Sequence, residues 1–239
     1  MVEMFAAENG LKGDPRLQAI SSAIRVVPHF PKQGLLLPLF YFSFLSLILS
    51  VYDFLERPLF KWGVCFSGKK TGIMFQDITT LLLDNKAFKH TVDIFVDRYR
   101  GMDISVVAGV EARGFMFGTA IALAIGAKFV PLRKPKSCQG RVCFNGEVIA
   151  EAYELEYGSD CLEMHVGAVE AGERAIVIDD LVATGGTLSA AIRLLERVGA
   201  QVVECGCVIG LRQVKGQRRL NGKPLYILVE PREIDGCYY

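Results

Sequence analysis

The segment Val177-Ile178-Asp179-Asp180-Leu181-Val182-Ala183-Thr184-Gly185-Gly186-Thr187 decides the fold, because it joins a strand to a helix through a glycine-rich loop. The β-branched run at 175–178 predicts a buried parallel strand. The spacing of apolar residues over 188–198 predicts the helix that follows. The two carboxylates, Asp179 and Asp180, are therefore expected at the carboxyl end of a strand, where open α/β sheets bind their ligands.

The loop that follows these carboxylates has the composition of a phosphate site. Two glycines let the backbone approach an anion closely, and threonine hydroxyls add donors to the free N–H groups of a helix start. Asp179 and Asp180 cannot bind that anion, so they accept hydrogen bonds from ribose hydroxyls or face a metal. In the alternative interpretation the Asp pair caps a turn and the glycines only close it. The predicted phosphate contacts are Ala183, Thr184, Gly185, Gly186 and Thr187.

The loop lacks the Gly-Lys-Ser/Thr of a nucleoside triphosphatase and the Gly-x-Gly-x-x-Gly of a dinucleotide site. It resembles instead the 5-phosphoribosyl 1-pyrophosphate signature of the type I phosphoribosyltransferases. Over about 20–34 and 73–229 the chain resembles the adenine phosphoribosyltransferases, the plant forms in particular. That resemblance implies an α/β class protein with the type I phosphoribosyltransferase fold: a mainly parallel central sheet flanked by helices, with a small hood and a mobile flap.

Hydrophobic patterning along the chain predicts the same alternation of strands and helices. Strands are predicted at 104–108, 128–131, 175–178, 202–209 and 225–229. Helices are predicted at 17–24, 87–99, 115–124 and 188–198. Alternation of this kind indicates parallel βαβ units with right-handed crossovers.

Two further segments resemble the family's pyrophosphate site. The stretch 106–115 is similar to the pyrophosphate-binding loop, which in such enzymes holds a non-proline cis peptide, and it places Ala112 and Arg113 at the contact. The planar fork of Arg113 suits a pyrophosphate oxygen because it donates two hydrogen bonds at once. The stretch 129–134 is a predicted strand that ends in Arg133 and Lys134, and the resemblance implies that these cations neutralise the leaving pyrophosphate. An exposed turn arginine and ordinary surface basicity are the alternatives.

The resemblance also assigns the base site and the flap. The stretch 153–158 resembles the mobile flap, in which Glu156 handles the proton on the imidazole nitrogen of adenine and Tyr157 closes over the sugar. From the residues alone, alternating Tyr and Glu is typical of a half-exposed strand. Phe75 would stack on the purine, and the backbone of Met74 would contact its edge. Phe75 as an ordinary core residue is the alternative.

The activity that the resemblance implies is transfer of the 5-phosphoribosyl group from 5-phosphoribosyl 1-pyrophosphate to adenine, giving AMP and pyrophosphate. Mg²⁺ would be bound chiefly through the donor pyrophosphate, with no metal site built from protein residues. The family leads us to expect a cytoplasmic homodimer in purine salvage. Three alternatives stay open: another purine phosphoribosyltransferase, a non-catalytic protein that binds the donor, and an inactive splice or annotation variant.

Composition fits one α/β domain over 1–239, interrupted by an insert. The 239 residues are 51% hydrophobic, enough to bury one sizeable core. The 27 basic residues against 26 acidic ones give a net charge of +1, which argues against a nucleic-acid partner. Seven cysteines are scattered without metal spacing, so reduced and largely buried thiols are expected.

Two segments depart from the family pattern, in which the chain runs directly from Gly34 to Ile73. The inserted stretch 35–72 begins with an uncharged run at 35–52, long enough for a transmembrane helix of ~18 residues. A membrane anchor would split the base site, so we expect no membrane association. The insert is rich in residues with uracil-rich codons, which indicates a retained intron or a gene-model error. The second departure, at 137–145, replaces a shorter linker.

Overall fold

In this computed structural model the described residues are 10–30, 73–134, 147–155, 158–211, 220 and 222–231. They fall into two units, one with residues 10–25 and 78–231 and the other with residues 26–30 and 73–77. The helices are α1 Pro15–Ala23, α2 Thr79–Leu83, α3 Asn85–Tyr99, α4 Arg113–Ile125 and α5 Gly186–Arg197. The strands are β1 Arg25–Phe30, β2 Ile73–Asp77, β3 Val106–Val110, β4 Lys128–Leu132, β5 Val148–Leu155, β6 Gly158–His165, β7 Arg174–Val182, β8 Gln201–Gly210 and β9 Leu225–Val229.

The centre of the larger unit is a five-stranded sheet in the order β4-β3-β7-β8-β9. Every pairing within it is parallel, so the predicted βαβ architecture is confirmed. Strand β3 is buried along its whole length, as expected for a parallel strand covered on both faces. Because β3 and β7 are neighbouring parallel strands, their carboxyl ends lie at the same edge of the sheet.

Alternate residues of β3 face two different hydrophobic cores, one on each side of the sheet. Val106 and Ala108 pack with helix α5 and the β5–β6 hairpin. Val107 packs on the other side with α1, α3 and α4, where Phe95 is fully buried. Two covered faces hold the sheet in place and leave its carboxyl edge to form a site.

Strand β7 is longer than the sequence predicted. The prediction ended it at Ile178, whereas the structure continues it to Val182 because β8 keeps pairing as far as Val182 with Gly210. Its pairing with β3 does stop at Ile178. Asp179 and Asp180 therefore lie inside the last part of the strand, where its β3 side has no strand neighbour.

The first turn of α4 packs directly on β7. A Cβ atom built on Gly114 would lie 2.5 Å from the carbonyl oxygen of Ile178, so only glycine allows this approach. The contact places Arg113, the first residue of α4, beside the carboxyl end of β7.

The sequence analysis did not predict the short helix α2, the strands β1 and β2, or the second strand of the β5–β6 hairpin. The hairpin pairs antiparallel from Val148 with His165 to Leu155 with Gly158. Residues 153–155 thus belong to a strand, as the alternative interpretation had it, and Leu162 on its partner strand is fully buried.

Strands β1 and β2 form a separate two-stranded sheet in the smaller unit. The departures at 35–72 and 137–145 lie outside the described residues. Within the described ranges, no helix combines the length and apolar character that a membrane crossing requires.

Candidate active site

The predicted donor contacts of the larger unit gather at the carboxyl edge of the central sheet. Glu111, Ala112 and Arg113 follow β3 directly, and Arg133 and Lys134 follow β4. The segment 179–187 ends β7 and opens α5. Neighbouring parallel strands bring these three segments together, which is the usual position of a ligand site in an open α/β sheet.

Arg113 and Asp180 bind each other. The Nε atom of Arg113 donates to Oδ2 of Asp180 at 2.5 Å, and the Asp180 side chain is only 10% exposed. The peptide between Glu111 and Ala112 is cis, as the resemblance implied. Two residues predicted to bind different parts of one ligand are therefore in direct contact.

Asp179 and Asp180 are both buried. The backbone N–H of Asp180 donates to Oδ1 of Asp179 at 2.9 Å. Burial raises the pKa of the Asp179 carboxyl well above its usual range, and the negative charge of Asp180 raises it further. The raised pKa makes the protonated form of Asp179 more accessible, and a protonated carboxyl can donate as well as accept a hydrogen bond.

Arg133 and Lys134 also face carboxylates. The Nε atom of Arg133 lies 3.8 Å from Oε2 of Glu111, which also accepts the backbone N–H of Lys134 at 2.8 Å. The Nζ atom of Lys134 lies 3.4 Å from Oδ2 of Asp160. Each of the three cations predicted at the pyrophosphate site thus has an acidic partner in the protein.

The predicted phosphate loop has the geometry of a helix start. Gly185 has a φ of +77°, a left-handed conformation that glycine adopts without strain, and α5 begins at Gly186. The first N–H groups of a helix have no partner within the helix, so this turn presents donors to an anion. Thr184 and Thr187 are half-buried and Ala183 is exposed.

Glu111, Tyr153 and Asp160 were not predicted as site residues. The buried Tyr153 hydroxyl donates to Oδ2 of Asp160 at 2.9 Å, and the Thr187 hydroxyl lies 3.4 Å from the same tyrosine oxygen. Burial raises the pKa of Tyr153. A sequence prediction of the hairpin over 148–165 with its correct register would have identified the pair of Tyr153 and Asp160, because the two residues are cross-strand partners.

The remaining predicted contacts are of two kinds. Met74 and Phe75 lie on β2 in the smaller unit, and the Phe75 side chain is half-buried. Their neighbour Gln76 is buried, and its Nε2 atom has no hydrogen-bond partner among the described residues. Glu156 and Tyr157 lie outside the described residues, so their roles stay predictions.

Within the described part of the chain, no three or more His, Cys, Asp and Glu side chains cluster so that they could hold a metal ion. Cys205 and Cys207 are buried free thiols on β8, as the sequence led us to expect. Burial raises the pKa of Cys205 to about 12, so its thiol stays protonated at neutral pH.

Residues 80–228 match the phosphoribosyl transferase domain family, and the chain belongs to that family. Within it, the chain belongs to the adenine phosphoribosyltransferases. It is 63% identical over 232 residues to adenine phosphoribosyltransferase 5 of Arabidopsis thaliana, covering 97% of this chain and 98% of the relative.

Solved structures of adenine phosphoribosyltransferases share the fold. The enzyme of Thermoanaerobacter pseudethanolicus is 32% identical with a TM-score of 0.67, over 90% of this chain and 99% of that one. The enzyme of Saccharomyces cerevisiae was solved with adenine and an imino-altritol bisphosphate. It is 29% identical with a TM-score of 0.66, over 90% of this chain and 98% of that one. The predicted type I phosphoribosyltransferase fold is thereby confirmed.

Proposed function

We propose that this chain transfers the 5-phosphoribosyl group from 5-phosphoribosyl 1-pyrophosphate to adenine, giving AMP and pyrophosphate. The observation that carries the proposal is the clustering of the α5 helix start, the Asp179–Asp180 pair and Arg113 at one edge of a parallel sheet. These groups match the phosphate, the sugar hydroxyls and the pyrophosphate of one donor molecule. The complex of the yeast relative with adenine supports the choice of acceptor base.

The 5-phosphate of the donor would bind at the start of α5. Its oxygens would accept hydrogen bonds from backbone N–H groups of Gly185 and Gly186 and from the Thr184 and Thr187 hydroxyls. The positive end of the helix dipole favours the same anion. Asp179 and Asp180 would then receive the ribose hydroxyls, which lie next to the phosphate in the donor. Ala183 completes the loop.

The pyrophosphate would bind Ala112, Arg113, Arg133 and Lys134. When nitrogen 9 of adenine attacks the anomeric carbon, the bond to pyrophosphate breaks and negative charge grows on the departing oxygen. Cations and N–H groups held in place stabilise that charge more in the transition state than in the bound donor. The sugar carries the complementary positive charge of an oxocarbenium-like transition state.

Adenine would lie against Phe75, with its edge at the backbone of Met74. Glu156 would take the proton that nitrogen 9 loses as the new bond forms. Tyr157 would cover the sugar and exclude water, which otherwise hydrolyses the activated donor.

Mg²⁺ fits this site through the donor rather than through a protein cage. The two carboxylates at the end of β7 do not suit such a cage, because the pKa of Asp179 is raised and Asp180 already binds Arg113. Pyrophosphate oxygens are the ligands that Mg²⁺ prefers. When bound there, the ion neutralises charge on the leaving group.

We further propose a cytoplasmic homodimer built from one domain over 1–239 with an insert at 35–72. The homodimer is the oligomeric state that the family resemblance implies. Light scattering on the purified chain tests the dimer.

The test of the activity compares the full chain with a form lacking 35–72. AMP formation is measured from adenine, the phosphoribosyl donor and Mg²⁺, with guanine and hypoxanthine as competing bases. We expect AMP from at least the shortened form. Product from guanine or hypoxanthine instead would favour another purine phosphoribosyltransferase. Folded protein that makes no nucleotide in either form would refute the proposal.

A further inference from the structure

A chain of polar contacts connects the two ends of the proposed donor site through the β5–β6 hairpin. The Thr187 hydroxyl lies 3.4 Å from the Tyr153 hydroxyl, which donates to Oδ2 of Asp160 at 2.9 Å. The Nζ atom of Lys134 lies 3.4 Å from the same carboxylate oxygen. Asp160 thus contacts Lys134, on the proposed pyrophosphate side, directly. It is connected to Thr187 of the phosphate loop through Tyr153.

The Asp160 carboxylate is held in a fixed orientation. Its Oδ1 atom accepts the backbone N–H of Cys161 at 2.8 Å, while Oδ2 accepts from the buried Tyr153. Its side chain is 27% exposed and that of Lys134 is 37% exposed. An ionised carboxylate is an acceptor only, so Lys134 finds here the kind of partner that a phosphate oxygen would also provide.

Asp160 differs from the other two acids that face the predicted cations. Asp180 and Glu111 belong to the strand ends that carry the proposed site itself. Asp160 lies on β6, in a hairpin that packs against α5. A carboxylate on a separate element can hold a cation without taking part in donor binding.

We propose that Asp160 is a positioning residue that competes with the donor pyrophosphate for Lys134. Its carboxylate holds the ammonium group at the rim of the site, and a pyrophosphate oxygen takes its place when the donor binds. When pyrophosphate departs, Asp160 recaptures Lys134 and speeds release. This inference rests on the proposed function, because it takes Lys134 to be a pyrophosphate ligand.

The test measures binding of inorganic pyrophosphate with Mg²⁺ to the full chain by calorimetry. Asp160→Asn removes the charge and keeps the size of the side chain. Partly exposed ion pairs contribute little, so we expect the pyrophosphate Kd to fall about two- to fivefold. The KM for the donor should fall with it, whereas a purely structural role would leave the pyrophosphate Kd unchanged or raise it.

The control is Glu170→Gln, which likewise replaces a carboxylate by an amide of similar size, at an exposed position in the loop that follows β6. We expect it to change the pyrophosphate Kd by less than about 1.5-fold. Asp160→Asn is also measured in a Lys134→Ala background, where its effect should shrink to that of the control. Asp160→Ser is the second substitution if the asparagine variant does not fold.

Three results would overturn the proposal. One is weaker pyrophosphate binding by Asp160→Asn, which would make Asp160 a support for the ligand. Another is an unchanged Kd, and the third is the same tightening in the Lys134→Ala background. A wild-type chain that forms AMP while showing any of these keeps the proposed function and loses only this inference. A chain that neither forms AMP nor binds pyrophosphate loses both.

Discussion

Replacing Gly114 with alanine should push the first turn of α4 away from β7. The new methyl carbon would lie 2.5 Å from the carbonyl oxygen of Ile178, and real Cβ contacts essentially never fall below 3.0 Å. The atom it meets belongs to the backbone of the central sheet, which cannot rotate out of the way. Helix and strand must therefore separate by about 0.5 Å or more.

The separation has two energetic consequences. Overpacking against a fixed neighbour costs about 1–3 kcal/mol, and the better helix propensity of alanine returns up to about 1 kcal/mol. We therefore expect a net loss of about 1–2 kcal/mol in the free energy of unfolding. Because Arg113 precedes Gly114, its guanidinium moves with the helix start, away from the proposed pyrophosphate position. Hydrogen bonds to charged groups contribute about 1.5–3 kcal/mol, so partial loss of the proposed contact between Arg113 and pyrophosphate should raise the donor KM roughly tenfold.

Urea unfolding and steady-state kinetics of AMP formation check both effects. The matched control is Gly118→Ala, one turn later in α4, where the new carbon would meet the ring of Phe129 at 2.9 Å. That ring is the end of a side chain and can shift, so we expect a smaller loss of stability and a KM within about twofold of wild type. Equal effects of the two substitutions, or a Gly114→Ala variant with normal KM, would refute the reasoning.

Three further predictions concern buried polar groups. Tyr99→Phe removes a buried hydroxyl that has no hydrogen-bond partner among the described residues, so the free energy of unfolding should rise by about 1 kcal/mol in urea titrations; a loss would show a missed partner. Arg98→Ala leaves the Glu204 carboxylate, which is 5% exposed, without its ion-pair partner at 2.9 Å. The free energy of unfolding should fall by about 3 kcal/mol, and adding Glu204→Gln should restore part of it. Additive losses in the double variant would contradict this. The pKa of Asp179 is raised in the folded protein, so the free energy of unfolding should fall as pH rises above about 4. Thermal melts of Asp179→Asn should show a smaller fall of stability with pH than wild type. The same pH dependence in both proteins would contradict a raised pKa at Asp179.

The loop between β7 and α5 could be predicted because all of its signals are local. Asp179, Gly185 and Thr187 lie within nine residues, and strand, turn and helix preferences act over that distance. The pairing of Arg113 with Asp180 joins residues 67 positions apart, so no local pattern contains it. It depends on the register of β3 with β7, which only the packed sheet determines.

The β5–β6 hairpin shows a second reason why the sequence did not predict the whole site. The contact of Tyr153 with Asp160 depends on where the hairpin turns, and a shift of one residue would send both side chains to the other face. The length of β7 has a similar origin, since Val182 is in the strand only because Gly210 pairs with it. Patterns within one segment predict that a strand exists, and its partners decide where it ends.

The distribution of charge in the site explains how a chain of net charge +1 can be built to bind a polyanion. Arg113, Arg133 and Lys134 would repel one another if they stood alone at the strand ends, but each faces a carboxylate at 2.5 to 3.8 Å. The cations are thereby kept in place at little electrostatic cost, and a donor that binds them as proposed must displace carboxylates to reach them. Long-range attraction of the donor is correspondingly weak, because the field of each cation is cancelled nearby. The donor association rate should thus change less than about threefold between 50 and 300 mM salt; a steeper dependence would show that the cations act unpaired.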